Sequence, residues 1–251
     1  MIDLQTNGAI AVATFDHPPV NAFDDAQVHR LGEIIDAAEA DASVGVLVLR
    51  SALKVFSAGA DLGQMAERFT STEGRAQLQD YAVNMQKVFA RLENSDVVSV
   101  AEISGAAMGG GYEMALSCDF RVAADHAKIG LPEAGLGLLP GAGGTQRLTR
   151  ICGDAVARRI ILGAEIVNGE QAARLGMVHW SMPADELRAF VDNLAGRIAG
   201  LSRQGLGWSK RCIAAADDPA SDGFGLEQQA AAELFASPET QNRIKAFLDR
   251  G

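Results

Sequence analysis

The chain has 251 residues, 48% of them hydrophobic and 22% charged, enough for one large domain with an appendage and a real core. Its net charge of −10, from 22 Lys and Arg against 32 Asp and Glu, opposes an extended nucleic-acid surface, and no run of about 18 apolar residues offers a membrane span. Cys118, Cys152 and Cys212 form no CxxC pair and are odd in number. Three buried packing thiols in a reducing cytoplasm are therefore expected rather than a disulfide framework, and MIDLQTNGAIAVATFDHPP lacks the basic and apolar regions of a secretory signal.

In chain order, AIAVATF (9–15) predicts a strand, and DDAQVHRLGEIIDAAEAD (24–41) predicts a helix. That helix places Val28, Leu31, Ile34, Ile35 and Ala38 on one face, with Asp24 and Asp25 at its cap and first turn. VGVLVLR (44–50) is a second strand. It leads into FSAGADL (56–62), where Gly59 permits unusual dihedrals and Asp61 caps a short helix. EGRAQLQDYAVNMQKVFARLEN (73–94) is helical, with Leu78, Ala82, Met85, Val88, Phe89 and Leu92 in one stripe. VVSVAEI (97–103) and DFRVAA (119–124) are further strands. Beyond residue 141 the pattern is mostly helical apart from a short strand in MVHWSMP (177–183). It ends in a helix with Ser237 at its N-cap, Pro238 at its first position, and Ile244, Phe247 and Leu248 in a stripe. The class is α/β, with a strand pair followed by a helix recurring loosely through the first half and a boundary near residue 200.

GxSxG, HExxH and GxxxxGK motifs are missing, GAGGTQ (141–146) lacks the last glycine of GxGxxG, and the four histidines have no metal-ligand spacing. Four segments remain: FSAGADL, SGAAMGGGYEMALSCD (104–119), GLPEAGLGLLPGAGGTQRL (130–148) and FLDR (247–250). Each glycine inside a helix costs about 1 kcal/mol against alanine, so Gly109, Gly110 and Gly111 ahead of a helix suggest that something must lie against bare backbone. They follow a strand, which puts the amides around Gly110 at a helix N-terminus. There, unpaired N–H groups favour an anion, and two converging amides make an oxyanion hole. Taken singly, these residues have plainer readings. Glu113 suits a first helical turn, Glu133 suits a solvated loop, and the glycines suit close helix–strand packing. Asp119 and Arg121 are expected to pair, Met65 and Phe69 to be partly core, and Trp208 to be core, interface or ligand wall.

In order and spacing, DHPPVNAF (16–23), FSAGADL, GGGYEMALSCDFRVA (109–123), LPEAGLGLLPGAGGTQRL (131–148) and AFLDR (246–250) resemble the enoyl-CoA hydratase/isomerase (crotonase) family over nearly the full chain, and a hydratase above all. The resemblance implies a crotonase-type spiral of ββα units over residues 1–200. It also implies a C-terminal α-helical region, 201–251, that forms homotrimers or homohexamers and part of the CoA site. By the same likeness, the amides of Ala60 and Gly110 hold the thioester oxygen, Glu113 and Glu133 are the catalytic acids, and Gly141 positions the water. CoA contacts are implied at Lys54, Ala58, Ala60, Asp61, Leu62, Phe247 and Arg250. The implied reaction is reversible syn addition of water to a trans-2-enoyl-CoA, as in fatty-acid β-oxidation, with no metal or redox cofactor. The neighbouring possibilities are a Δ3,Δ2-enoyl-CoA isomerase, which needs one glutamate, and a non-catalytic acyl-CoA binder.

Overall fold

A computed structural model describes residues 1–249. Strands β1 (Ile2–Asn7) and β2 (Ile10–Phe15) form an antiparallel hairpin, followed by helix α1 (Asp25–Ala40). The Asp24 side chain accepts from Gln27 N at 2.7 Å and caps α1. β3 (Val46–Ser51) leads to the short α2 (Leu62–Arg68) and the long α3 (Thr72–Asn94). β4 (Val98–Ile103) and β5 (Ala107–Met108) precede α4 (Gly110–Leu116), and β6 (Phe120–Ala124) and β7 (Ile129–Gly130) precede a 3₁₀ turn, Pro132–Leu136, and α5 (Gly144–Ala157). A π-helical turn, Arg158–Leu162, connects to α6 (Gly169–Arg174), β8 (Trp180–Met182) and α7 (Ala184–Ala199). Last come α8 (Arg203–Ala215), α9 (Gly223–Ala236) and α10 (Pro238–Leu248).

Two sheets explain the recurring strand pair. The larger has the order β1-β2-β3-β4-β6-β8, parallel from β2 onward, and the smaller joins β5 to β7. An isolated bridge between Ser57 and Ala107 extends the small sheet to the segment after β3. Each turn of the chain therefore crosses from the large sheet to the small one and then enters a helix. This brings the starts of α2, α4 and the 132–136 turn to one place.

β3 and β4 are buried along their whole lengths because sheet and helices cover both faces. Phe15, Phe23 and Phe89 interlock edge to face in the core, with centroids 6.1 and 6.0 Å apart. A buried carboxylate, Glu102 on β4, ties α7 to this core through Arg50 (2.7 Å) and Arg188 (3.0 Å). By contrast, α8 docks through Lys210 Nζ on Asp119 (2.7 Å) and on Val97 O (3.1 Å).

That bond corrects the expected Asp119–Arg121 pair. Arg121 instead donates to the carbonyls of Met177 (3.0 Å) and Cys118 (2.8 Å), because the buried guanidinium lies among backbone acceptors that need donors. As expected, Ser237 is the N-cap of α10 with Pro238 at its first position, although its side chain makes no capping bond. One smaller correction concerns packing: of the three thiols only Cys118 is fully buried, Cys152 and Cys212 being half-buried. Trp208 is buried, with the Arg211 guanidinium 4.1 Å from its ring centroid.

Candidate active site

The converging helix starts enclose a cavity of about 430 Å³, lined by Ala58, Ala60, Gly109, Gly110, Glu113, Glu133 and Gly141 together with apolar side chains of α2, α3 and the 136–139 segment. Asp61 caps the helix that walls it. Its carboxylate accepts from Gln64 N at 3.0 Å and caps α2. α2 buries none of its own residues, so Met65 and the following Phe69 stand in the cavity wall. Expectation had placed them partly in the core, but α2 lies over a void and has no core to face. The apolar stripe of α3 divides: Val88, Phe89 and Leu92 enter the core, Leu78 and Ala82 line the cavity, and Met85, buried in the core, also borders it.

Ala60 N and Gly110 N donate to no protein group among the described residues. Gly110 is the first residue of α4, where an amide has no intrahelical partner. The two amides border one small space, since a methyl group on Gly110 would stand 3.4 Å from Ala60 N and one on Gly59 2.9 Å from Gly110 N. Gly59 has φ +91°, so both its conformation and this clearance require glycine. Gly111 answers to packing instead. A Cβ there would lie 2.5 Å from Ser57 O, so its absence lets α4 sit directly on the 57–107 bridge.

Glu113, only 3% exposed, projects from α4 into the same cavity. Its Oε1 accepts from the amides of Ala142 and Gly144, each at 2.8 Å. Burial lifts its pKa to about 7; the Gly144 amide opposes this, the Glu133 charge adds to it, and the Ala142 amide and Arg147 oppose it. Glu133 lies on the 3₁₀ turn after Pro132. Burial raises its pKa too, opposed by its own backbone amide, and its buried Oε2 has no hydrogen-bond partner among the described residues. One carboxylate thus sits on two donors that favour its charge. The other, its pKa also raised by burial, has an oxygen with no hydrogen-bond partner among the described residues, so its charge is less compensated.

Gly141 borders the cavity with its N–H unbonded to any protein group among the described residues and its carbonyl accepting from Gln86 Nε2 at 2.6 Å. Of the expected CoA contacts, Ala58, Ala60 and Leu62 line the cavity, Asp61 stands behind it as a cap, Lys54 is exposed outside the lining, and Phe247 is 76% exposed on α10. Arg250 lies outside the described residues. The amides of Ala142 and Gly144 and the α3 wall are additions that sequence reading missed. Their only signal is GAGG immediately ahead of a helix. Among the described residues no cluster of three or more His, Cys, Asp or Glu is placed to hold a metal ion, and no helix is long and apolar enough to cross a membrane.

A sequence profile of the family described as "Enoyl-CoA hydratase/isomerase" matches residues 5–251. The short-chain-enoyl-CoA hydratase of Clostridium acetobutylicum is 33% identical, over 98% of this chain and 94% of that protein. The 2,3-dehydroadipyl-CoA hydratase of Escherichia coli is 34% identical, over 96% and 92%. Among solved structures, DspI of Pseudomonas aeruginosa superposes with a TM-score of 0.93 at 35% identity, covering 99% of this chain and 94% of that one. An enoyl-CoA hydratase from Bacillus anthracis gives a TM-score of 0.92 at 27% identity, covering 99% and 96%.

Proposed function

The chain belongs to the enoyl-CoA hydratase/isomerase family, and from that premise we propose that it adds water reversibly to a trans-2-enoyl-CoA to give the 3-hydroxyacyl-CoA. What carries this reading is the pairing, in one cavity, of two unbonded amides with two carboxyl groups in unlike environments. The thioester oxygen accepts from Ala60 N–H and Gly110 N–H, which polarises the enoyl system and makes C3 electrophilic. Glu113, its charge favoured by two amides, takes one proton from water as the oxygen bonds to C3. The electron pair of the double bond moves toward the thioester oxygen. Protonated Glu133 then delivers its proton to C2. With both groups acting from one face of the bound thioester, as the family likeness implies, addition is syn. The pair begins with one proton and ends with one, now on Glu113, and exchange with solvent restores the starting state.

Apart from the two glutamates, every side chain lining the cavity is uncharged, and Leu62, Met65, Phe69, Leu78, Met85, Leu136 and Leu139 dominate. This supports a neutral hydrocarbon acyl chain, each buried methylene contributing about 0.8 kcal/mol. Among the described residues an acyl chain ending in a carboxylate would meet no cation there. The chain is also proposed to work as a trimer or a pair of trimers, with α10 of one copy meeting the CoA of another.

The test is turnover of crotonyl-CoA, its longer 2-enoyl homologues and 2,3-dehydroadipyl-CoA, set beside isomerisation of 3-enoyl-CoA. Hydration that improves with neutral chain length and is weakest for the dicarboxylate is expected. Isomerisation without hydration, or tight thioester binding without turnover, would overturn the assignment.

A further inference from the structure

The loop that aims Glu113 is held as firmly on its outer side as on its inner one, through three consecutive peptide groups. In the first, Gly141 O accepts from Gln86 Nε2 at 2.6 Å while the N–H of the same peptide, on Ala142, binds Glu113. In the third, Gly143 O accepts from the amides of Gln146 (3.1 Å) and Arg147 (2.9 Å), and the Gly144 N–H binds Glu113. The middle peptide joins these two donors, and its carbonyl, Ala142 O, accepts from Arg147 Nη1 at 2.9 Å. Arg147 is buried, 6% exposed, and its far edge rests on Glu93 of α3, with Nε at 2.9 Å and Nη2 at 2.8 Å from Oε2. Gly143, at φ +107°, leaves room for this, since a methyl group there would lie 2.2 Å from Nη1.

Resting on the hydratase reading above, we propose that Arg147 is a positioning residue for hydration. It fixes the Ala142–Gly143 peptide, and with it the spacing and direction of the two amides that hold Glu113, while Glu93 keeps the guanidinium in place. An arginine needed only to fasten α5 to α3 would be satisfied by Glu93. The third contact reaches into the loop at the peptide that links the two donors, so a change in the ψ of Ala142 or the φ of Gly143 would move one donor relative to the other. Lysine, a single point charge without a planar fork, cannot hold Glu93 and Ala142 O in this geometry. The charged groups bearing on Glu113 are Glu133, from the 3₁₀ turn, which raises its pKa, and Arg147, from α5, which lowers it; Glu93 of α3 reaches the site through Arg147. Removing Arg147 takes away a lowering charge and loosens two lowering hydrogen bonds. The base then stays protonated to higher pH.

The experiment compares wild type with Arg147→Met, Arg147→Lys and Glu93→Gln in hydration of crotonyl-CoA across pH. Alongside, the Glu113 carboxyl is titrated by pH-difference infrared spectroscopy, with Glu113→Gln giving the assignment. Expected for Arg147→Met are a kcat at least tenfold lower, KM within twofold, and an acid limb and infrared midpoint both moved to higher pH. Arg147→Lys should return the midpoint toward wild type while recovering only part of kcat. A soluble Arg147→Met protein with kcat within twofold of wild type, or with an unmoved midpoint, overturns the proposal. If Arg147→Met does not fold, wild-type kcat and midpoint in both Arg147→Lys and Glu93→Gln overturn it equally. A wild-type protein that hydrates no enoyl-CoA defeats the hydratase reading instead, and the infrared midpoints still decide whether Arg147 governs Glu113.

Discussion

Glu113 joins two opposed demands in one side chain. Its pKa of about 7 in the fold, against an ordinary glutamate value of 4.5, means that the folded state binds more protons than the unfolded chain between those two values. Stability therefore falls as pH rises from 4.5 through 7 and levels off above. Holding the buried charge above pH 7 costs on the order of 3 kcal/mol. Glu113→Gln, whose amide oxygen can still accept from Ala142 and Gly144, is expected to abolish hydration and to raise the thermal midpoint by several degrees above pH 7, with the gain vanishing near pH 4.5. Calorimetry at pH 4.5, 6 and 8 checks the sign; a variant equally destabilised at every pH would contradict it. A carboxylate in a first helical turn is visible in the sequence, and the family likeness raises it to a catalytic candidate. Its amide partners lie 29 and 31 residues along the chain, a separation that no local pattern encodes. The Asp119–Lys210 pair, 91 residues apart, was hidden for the same reason.

At the level of elements, buried parallel strands announce themselves as runs of branched residues, which is why β2, β3, β4 and β6 are legible. β1 is not, because IDLQTN mixes polar residues through an edge strand and buries only Ile2 fully. β5 and β7 have two residues each, and nothing but their mutual pairing identifies them. α2 shows best how an element's surroundings decide its use. Its seven residues bury nothing, so its stability rests on the Asp61 cap, on an ion pair between Arg68 and Asp25, and on whatever fills the cavity beneath it. Asp61→Ala removes a cap of about 1 kcal/mol from an element that adds little to global stability. The expected result is a several-fold rise in KM for long-chain substrates, with kcat and the thermal midpoint nearly unchanged. Steady-state kinetics on short and long acyl chains reads this directly; a kcat loss with KM intact would instead put Asp61 in the chemistry.

For the whole molecule, the three C-terminal helices behave unlike the rest. α7 packs on the sheet and is tied to it by Arg188 on Glu102, whereas α8 and α9 pack chiefly on each other, and with α10 they line an open groove of about 700 Å³ containing Trp208, Ile213, Leu234, Phe235 and Ile244. Ile213 and Phe235 are 72% and 70% exposed. Large apolar side chains standing in water next to such a groove mark a surface that belongs against protein, each contributing about 1.5–3 kcal/mol when fully covered. The same helices carry Phe247, 76% exposed, and the proposed CoA contact there is one made to the site of another copy. On the proposed trimer or pair of trimers, sedimentation should give a mass three or six times the 26.4 kDa of the chain. Ile213→Asp combined with Phe235→Asp should dissociate that species and raise the KM for acyl-CoA together with it, because the borrowed side of the site leaves with the partner. A wild-type monomer at micromolar concentration with full activity would show that one chain completes the site alone and that the apolar groove serves something else.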